Sequence, residues 1–335
     1  MNDTHIIIIA EAGVNHNGNF DMARQMIIEA KKAGADYVKF QTAVPELVIS
    51  TFAPKAEYQK ETTGAGESQL EMCKAIHLPL SDYSRLKAIC DEVGIGFMST
   101  PFDLVSIDCL DALKMDYWKI PSGEITNLPY LRKIASKGGR VILSTGMSTL
   151  EEVSTAVEIL VGGGIAREDI ILLHCTTQYP TPAEAVNLRA MDALRAIGCG
   201  GVGYSDHTVG ITIPIAAAAR GARVIEKHFT LDRTLPGPDH RASLEPDELA
   251  AMVSAVRIVE QALGTGVKEV AEAERLNIAV ARKSIVAARA ICAGEVLTEE
   301  NITVKRPGNG ISPMLWDKII GTTASRDYSA DELID

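Results

Sequence analysis

Eight times in its first 230 residues the chain repeats one pattern: a short apolar, β-branched run, then a polar residue, then an amphipathic stretch with helix start and stop signals. The runs are IIIIAEAG (6–13), DYVKFQT (36–42), IGFMSTP (95–101), DYWKIPSGE (116–124), RVILSTG (140–146), DIILLHCTT (169–177), GVGYSDH (201–207) and ARVIEKH (222–228). Strands alternating with helices call for a parallel sheet covered by helices, and eight such units favour a (β/α)8 (TIM) barrel over an open doubly wound sheet. The first helix, DMARQMIIEAKKAG, is expected to be capped by Asp21 and stopped at Gly34; in a later one Thr149 and Glu152 have capping-box spacing. The helix in EPDELAAMVSAVRIVEQALG closes near Gly264, which matches the roughly 250 residues such a barrel needs. Residues 43–80 are too many for an ordinary βα loop and are expected to form an active-site lid with some helix of its own.

Past Gly264 the texture changes. TGVKEVAEAERLNIAVARK reads as a linker helix, and SIVAARAICAGEVLTEENITVKRPGNGISP as short strands broken by Gly, Asn and Pro. The expected organisation is a catalytic barrel over 1–265, a linker over 266–281 and a small, mostly β cap over 282–335, near the lower size at which a domain folds alone.

With 335 residues, 46% of them hydrophobic and 23% charged, the chain can bury a large core. A formal net charge of −11 and a pI near 5.2 oppose general attraction to nucleic acid or to an anionic membrane, so any anionic ligand must be held by a local cluster of Lys and Arg. The cysteines (Cys73, Cys90, Cys109, Cys175, Cys199, Cys292) are scattered, which argues against a disulfide scaffold or a zinc ribbon. MNDTHIIIIAEAG has no basic leader, and no later run reaches the ~18 apolar residues of a membrane helix. A cytoplasmic protein is expected.

The strand C-terminal ends of a barrel form its working face. Those positions here hold Glu11, Lys39, Gln41, Thr100, Lys119, Ser122, Glu124, Ser144, Thr177, Tyr179, Ser205, Asp206, His207, Glu226, Lys227 and His228. Three lysines (Lys39, Lys119, Lys227) and several hydroxyls suit an anionic, phosphorylated substrate, although any one serine taken alone reads as a helix cap. His207 and His228 end neighbouring strands, so their imidazoles can share a labile Mn²⁺, Co²⁺ or Zn²⁺ with open positions; two core histidines are the alternative. His5, His77 and His174 read as structural, and His16 and His240 as supporting groups behind the site. Gly162 to Gly164 read as a plain turn, and Lys60, Lys74 and the charges of 268–275 as solvated faces.

The motifs AEAGVNHNG, VKFQT, APKAEYQKET with ESQLEM, KIPSGE, STGMST, HCTTQYPTP, YSDHTVG, EKHFTLDR, GPDHRAS and KRPGNGISP, in this order over nearly the whole chain, resemble the bacterial sialic acid synthases, which carry an antifreeze-like (SAF) cap. The resemblance implies condensation of phosphoenolpyruvate with N-acetylmannosamine or a relative such as 2,4-diacetamido-2,4,6-trideoxymannose. The product would be N-acetylneuraminate, legionaminate or a similar nonulosonic acid, with release of phosphate. By matching motifs, His207 and His228 would hold a divalent metal, Mn²⁺ in the first place with Mg²⁺ or Co²⁺ as substitutes. Lys39, Thr100, Lys119, Ser122, Ser144, Thr177 and Ser205 would contact phosphoenolpyruvate, and Thr177 stands where some members use an Asn for the phosphate. Glu124, Lys119 and Glu11 would be the catalytic set, with Glu124 beside the reacting carbons. Gln41, Tyr179 and Asp239 would face the sugar, and Arg306 of the cap would reach its N-acyl group in a domain-swapped homodimer. Two rival readings are a Schiff-base aldolase with Lys119 as the amine, and a carbohydrate- or ice-binding protein in which the cap is the working part.

Overall fold

The computed structural model describes residues 5–55, 66 and 68–335. Lys60, and most of the APKAEYQKET segment, lie outside the described residues. The chain divides into two compact units, Met1–Gly264 and Thr265–Asp335. No helix among the described residues is long and apolar enough to cross a membrane.

The first unit is a TIM barrel. Its strands are β1 (Ile7–Gly13), β2 (Tyr37–Thr42), β3 (Gly96–Pro101), β4 (Tyr117–Ile120), β5 (Arg140–Ser144), β6 (Ile170–His174), β7 (Gly201–Asp206) and β8 (Val224–His228). All pairings are parallel, in the order β3-β2-β1-β8-β7-β6-β5-β4, with β3 and β4 at the seam. The helices described in this unit are α1 (Phe20–Lys32), α2 (Pro45–Val48), α3 (Gln69–Ile76), α4 (Asp82–Val93), α5 (Leu104–Asp111), α6 (Leu128–Lys137), α7 (Leu150–Gly162), α8 (Ala190–Arg195), α9 (Thr212–Ala219) and α10 (Pro246–Leu263). Of the expected 43–80 lid, α2 and α3 are described.

Local chemistry accounts for the helix ends. Thr149 and Glu152 form the expected capping box of α7. At α1 the cap is not Asp21 but Asn19, whose side chain accepts from the Met22 amide; Asp21 sits in the first turn, where its charge favours the helix N-terminus. Gly34 does stop this helix, taking the left-handed φ of +86° that a side chain would resist.

Because side chains alternate across a strand, each barrel strand sends every second residue inward. The lower inward layer is apolar: Ile9, Met98, Tyr117, Ile142, Ile171, Leu173 and Val224 fill the barrel. The outward residues, among them Ile8, Ala10, Val38, Phe40, Phe97, Val141 and Ile225, join the larger core beneath the helices. The barrel is thus closed below, and any ligand must enter at the strand C-termini.

In the second unit the expected linker helix is shorter than its periodicity suggested: α11 covers Arg275–Ala281, after a 3-10 turn over Glu272–Glu274. β9 (Ser284–Ala287) pairs antiparallel with β10 (Ile302–Lys305), isolated bridges such as Ile291 with Tyr328 extend the pairing, and α12 (Trp316–Ile319) follows. Ile285, Ile291, Leu297, Ile302, Tyr328 and Ile334 make a small separate core. The KRPGNG turn is held by Ser284 Oγ donating to the Pro307 carbonyl and by the Gly308 amide donating to Ala279.

Candidate active site

One step above the apolar floor, the same alternation points Glu11, Lys39, Lys119, Ser144, Ser205 and Glu226 into the barrel, all buried. They form one ionic network. Lys39 Nζ lies 2.5 Å from Glu11 Oε2 and 3.7 Å from Glu226 Oε2, and donates to Thr100 Oγ1 at 2.8 Å. Lys119 Nζ donates to Ser144 Oγ at 2.8 Å and lies 3.5 Å from Glu226 Oε1, which accepts from Ser205 Oγ at 2.8 Å. Glu226 therefore sits between the two ammonium groups, a place that reading strand ends one by one did not assign. Gln41 Nε2 reaches Glu11 Oε1 at 3.3 Å.

Two buried carboxylates in this network respond differently to burial. Burial pushes the Glu11 carboxyl up to a near-neutral range, and the neighbouring Glu226 charge adds to this against the pull of Lys39. Burial acts on Glu226 too, but Lys119, Lys39 and the Ser205 hydroxyl outweigh it and hold Glu226 ionised. Burial also pushes Lys119 down, whereas Lys39 is raised because Glu11 and Glu226 outweigh its burial.

Above the network the cavity, of about 430 Å³, is lined by Ser122, Thr177, Tyr179, His207, His228 and Asp239 as well as the residues just named. Ser122 Oγ accepts from the Gly146 amide and lies 3.2 Å from Cys175 Sγ. Burial pushes Asp239 up to about 6. The rings of His207 and His228 are 5.4 Å apart, and Tyr179 packs on both, at 4.1 and 5.6 Å. His207 Nδ1 lies 2.6 Å from the Thr176 carbonyl, so it carries the proton and leaves Nε2 with a free lone pair. Burial keeps both rings neutral, with His207 lowered to about 4. His228 Nδ1 is buried without a hydrogen-bond partner, as are Glu226 Oε2 and Glu11 Oε2, the latter touching Lys39 without hydrogen-bond alignment. Two neutral imidazoles, one with an orphaned nitrogen, beside the carboxylates Glu11 and Asp239 fit a labile divalent cation with positions left for water and substrate. Among the described residues no group of three or more His, Cys, Asp or Glu converges tightly enough for a closed metal site.

Of the residues singled out by sequence, Glu11, Lys39, Gln41, Thr100, Lys119, Ser122, Ser144, Thr177, Tyr179, Ser205, His207, His228 and Asp239 meet in this cavity. Glu124 does not line it: β4 ends at Ile120, Ser122–Glu124 form a 3-10 turn, and the half-buried Glu124 carboxylate accepts from Asn127 Nδ2 at 2.6 Å. Arg306, in the second unit, is exposed and donates from Nε to the Ala281 carbonyl. Lys227 leaves the expected trio of ligand lysines. Its neighbours Glu226 and His228 face inward, so Lys227 faces outward, fully buried against Asp206 at 2.5 Å and the Thr208 carbonyl. His77, expected to be structural, lines the cavity from the end of α3, its Nδ1 bonded to the Cys73 carbonyl. His16 and His240 stay outside the lining; His240 Nδ1 bonds Thr230 Oγ1 at 2.7 Å.

A closed barrel whose mouth concentrates two lysines, five Ser and Thr hydroxyls and a histidine pair defines a TIM-barrel enzyme acting on an anionic substrate. The NeuB family profile matches residues 26–268 and the SAF domain profile residues 282–335. The chain is 50% identical over 328 residues to the N,N'-diacetyllegionaminic acid synthase of Campylobacter jejuni, covering 98% of each protein. It is 44% identical to the enzyme of the same name from Legionella pneumophila, covering 96% of this chain and 91% of that one. Among solved structures, the N-acetylneuraminic acid synthetase of Leptospira borgpetersenii in complex with citrate superposes with a TM-score of 0.72 at 35% identity, over 82% of this chain and 90% of that chain. The chain belongs to the NeuB family and carries a SAF domain.

Proposed function

We propose that the chain makes an N,N'-diacetyllegionaminic-type acid from phosphoenolpyruvate and 2,4-diacetamido-2,4,6-trideoxymannose, with a divalent metal, Mn²⁺ first, held by His207 and His228. The broader activity is condensation of phosphoenolpyruvate with an N-acyl amino sugar to give a nonulosonic acid. The carrying observation is the network in which Lys39 and Lys119 flank Glu226 beneath a neutral histidine pair.

Lys39 and Lys119, with Thr100, Ser122, Ser144, Thr177 and Ser205, bind the carboxylate and phosphate of phosphoenolpyruvate, and Glu226 keeps both lysines charged and apart. The methylene carbon of phosphoenolpyruvate attacks the aldehyde carbon of the open-chain sugar, forming the C–C bond. His207 and His228 would hold the divalent cation, which when bound would supply Lewis-acid polarisation of the aldehyde oxygen. Glu11, raised into the neutral range by burial, can deliver the proton which that oxygen takes as it becomes a hydroxyl. The positive charge left on the phosphate-bearing carbon is stabilised by the buried carboxylates and captured by water, for which Glu124, one residue beyond the lining residue Gly123, is the base. Loss of phosphate from the tetrahedral adduct leaves the 2-keto acid. Lys119 does not act as a Schiff-base amine on this reading, because it is committed to Ser144 and Glu226. The six free thiols agree with a cytoplasmic setting. Arg306 reaches a partner's sugar in a homodimer.

The test is phosphate release from phosphoenolpyruvate against N-acetylmannosamine, 2,4-diacetamido-2,4,6-trideoxymannose, arabinose 5-phosphate and erythrose 4-phosphate. The diacetamido sugar should be preferred and chelation should abolish turnover. A preference for the phosphosugars, or a borohydride-trapped pyruvate adduct on Lys119, would overturn the reading.

A further inference from the structure

Beside the catalytic cavity lies a second hollow of about 170 Å³, and the two share Gln41, Cys73, His77 and Phe102 in their walls. It is an annex opening off the substrate site on the β2 and β3 side. Its far wall comes from the chain that leaves β2: Ala43, then Val48 and Ile49 at the end of α2, with Gln69 of α3 opposite. The walls are apolar except for two amides, Gln41 and Gln69, and one imidazole. His77 is kept neutral by burial and already bonds the Cys73 carbonyl. Among the described residues no lysine, arginine or carboxylate lines the annex. Buried Lys55 acts electrostatically on Cys73 from outside the lining and has an interaction of its own, and Lys74, also outside the lining, is paired with Glu46 at 2.7 Å.

Such a recess recognises a small uncharged group with an apolar end and one or two hydrogen-bonding atoms, and it rejects an ionised one, which would be desolvated without a counter-charge. A hydroxyl alone leaves the apolar wall unfilled, and a phosphate finds no cation among the described lining residues. An acylamino group fits both halves: its methyl packs on Val48, Ile49 and Phe102, and its amide faces Gln41 or Gln69.

Resting on the proposed reaction, we infer that the annex seats the second acetamido group of the aldose, the one remote from the aldehyde. It thereby makes Val48, Ile49, Phe102 and Gln69 determinants of specificity for a doubly acylated sugar. Filling the annex costs the enzyme its preference and nothing else.

The experiment compares kcat/KM of the full-length enzyme, wild type and Val48→Phe, on 2,4-diacetamido-2,4,6-trideoxymannose and N-acetylmannosamine. Val48 is partly exposed on a short helix, so the substitution spares the barrel core. Val48→Phe should lower kcat/KM for the diacetamido sugar by roughly 10-fold to 100-fold, the usual scale for a pocket made too small, while N-acetylmannosamine and the KM for phosphoenolpyruvate stay within about twofold. Val48→Asp, smaller than valine, adds a charge without filling the recess and should shift the ratio in the same direction, since the acetamido methyl would then meet a carboxylate. Equal loss on both sugars, or no loss on either, overturns the annex assignment. A wild-type enzyme inactive on both sugars would instead overturn the reaction on which it rests.

Discussion

Glu226→Gln is the sharpest perturbation the network offers. The carboxylate lies 3.5 Å from Lys119 and 3.7 Å from Lys39, and both lysines are almost fully buried. At those separations each contact is worth about 4–5 kcal/mol at an effective dielectric of about 20. Breaking a buried pair by neutralising one member costs roughly 3–5 kcal/mol net, since water and the remaining partners recover part. For a domain of this size about 1 kcal/mol moves the melting temperature by roughly 2–4 °C, so the substrate-free variant should melt on the order of 10 °C lower. The amide is nearly isosteric and can still accept from Ser205, so little of this loss comes from packing.

Phosphoenolpyruvate carries the negative charge that the variant lacks. The deficit should therefore shrink when it is added: the shift that it induces should be larger in Glu226→Gln than in wild type, with a lower dissociation constant, while turnover falls. Thermal melts across a phosphoenolpyruvate titration, with steady-state phosphate release in parallel, read all of this. A variant that melts within about 2 °C of wild type and gains no more from phosphoenolpyruvate would refute the assignment of Glu226 as counter-charge to both lysines.

His207→Ala and His228→Ala should each remove bound metal, measured by elemental analysis, and activity together while the circular dichroism of the barrel persists, because the apolar floor lies below them. Glu124→Gln should keep phosphoenolpyruvate binding and lower turnover by about 100-fold if it serves the water step; near-normal turnover would leave it a structural partner of Asn127. Asp239 has its folded pKa raised from 3.8 to about 6, so the native state holds this proton more tightly, and the associated stability is present below about pH 4 and lost as pH rises through 6. The difference is at most about 3 kcal/mol, so Asp239→Asn in the metal-free protein should melt higher than wild type at pH 7.5 and lose that advantage near pH 4. Co-refolding inactive Arg306→Ala with inactive Glu124→Ala should restore up to about a quarter of wild-type activity if the arginine serves a partner's barrel, and none if it serves its own.

Most of the fold was legible because it depends on periodicities: eight apolar runs ending in polar residues can close only as one kind of sheet. The cavity lining was legible for the same reason, strand by strand. What escaped lay where a strand's phase or its end had to be known. Lys227 ends on the outside because Glu226 and His228 occupy the inward phase, and both phases of EKH carry polar residues, so hydrophobicity could not separate them. Glu124 falls past the last bonded residue of β4, where Pro121 has no amide to continue the ladder and a 3-10 turn begins. His77 closes a helix in the long segment after β2; the signal for it was the Ser68 and Glu71 capping box, which places a short helix over the barrel mouth.

Register, more than residue choice, sets the charge of this site. Glu226 pairs across to Ser205 on β7 and to Ile9 on β1, and His228 stands opposite Glu11. A slip of one residue in β8 would bring Lys227 inside and turn Glu226 and His228 out beneath the helices, replacing an anion and a neutral imidazole with a third cation. Two features oppose that slip. Val224, two residues before Glu226, fills the barrel floor, while Ile225 packs in the outer core, so a slip would break both apolar layers. The outward Lys227 is in turn tied to Asp206 of β7 and to the carbonyl of Thr208, with both charged side chains fully buried. A buried ion pair of this kind adds little net stability, yet a misregistered strand would leave Asp206 unpaired in the core, which is costly. The pair, which lies outside the cavity lining, therefore helps keep Glu226 and His228 facing the cavity.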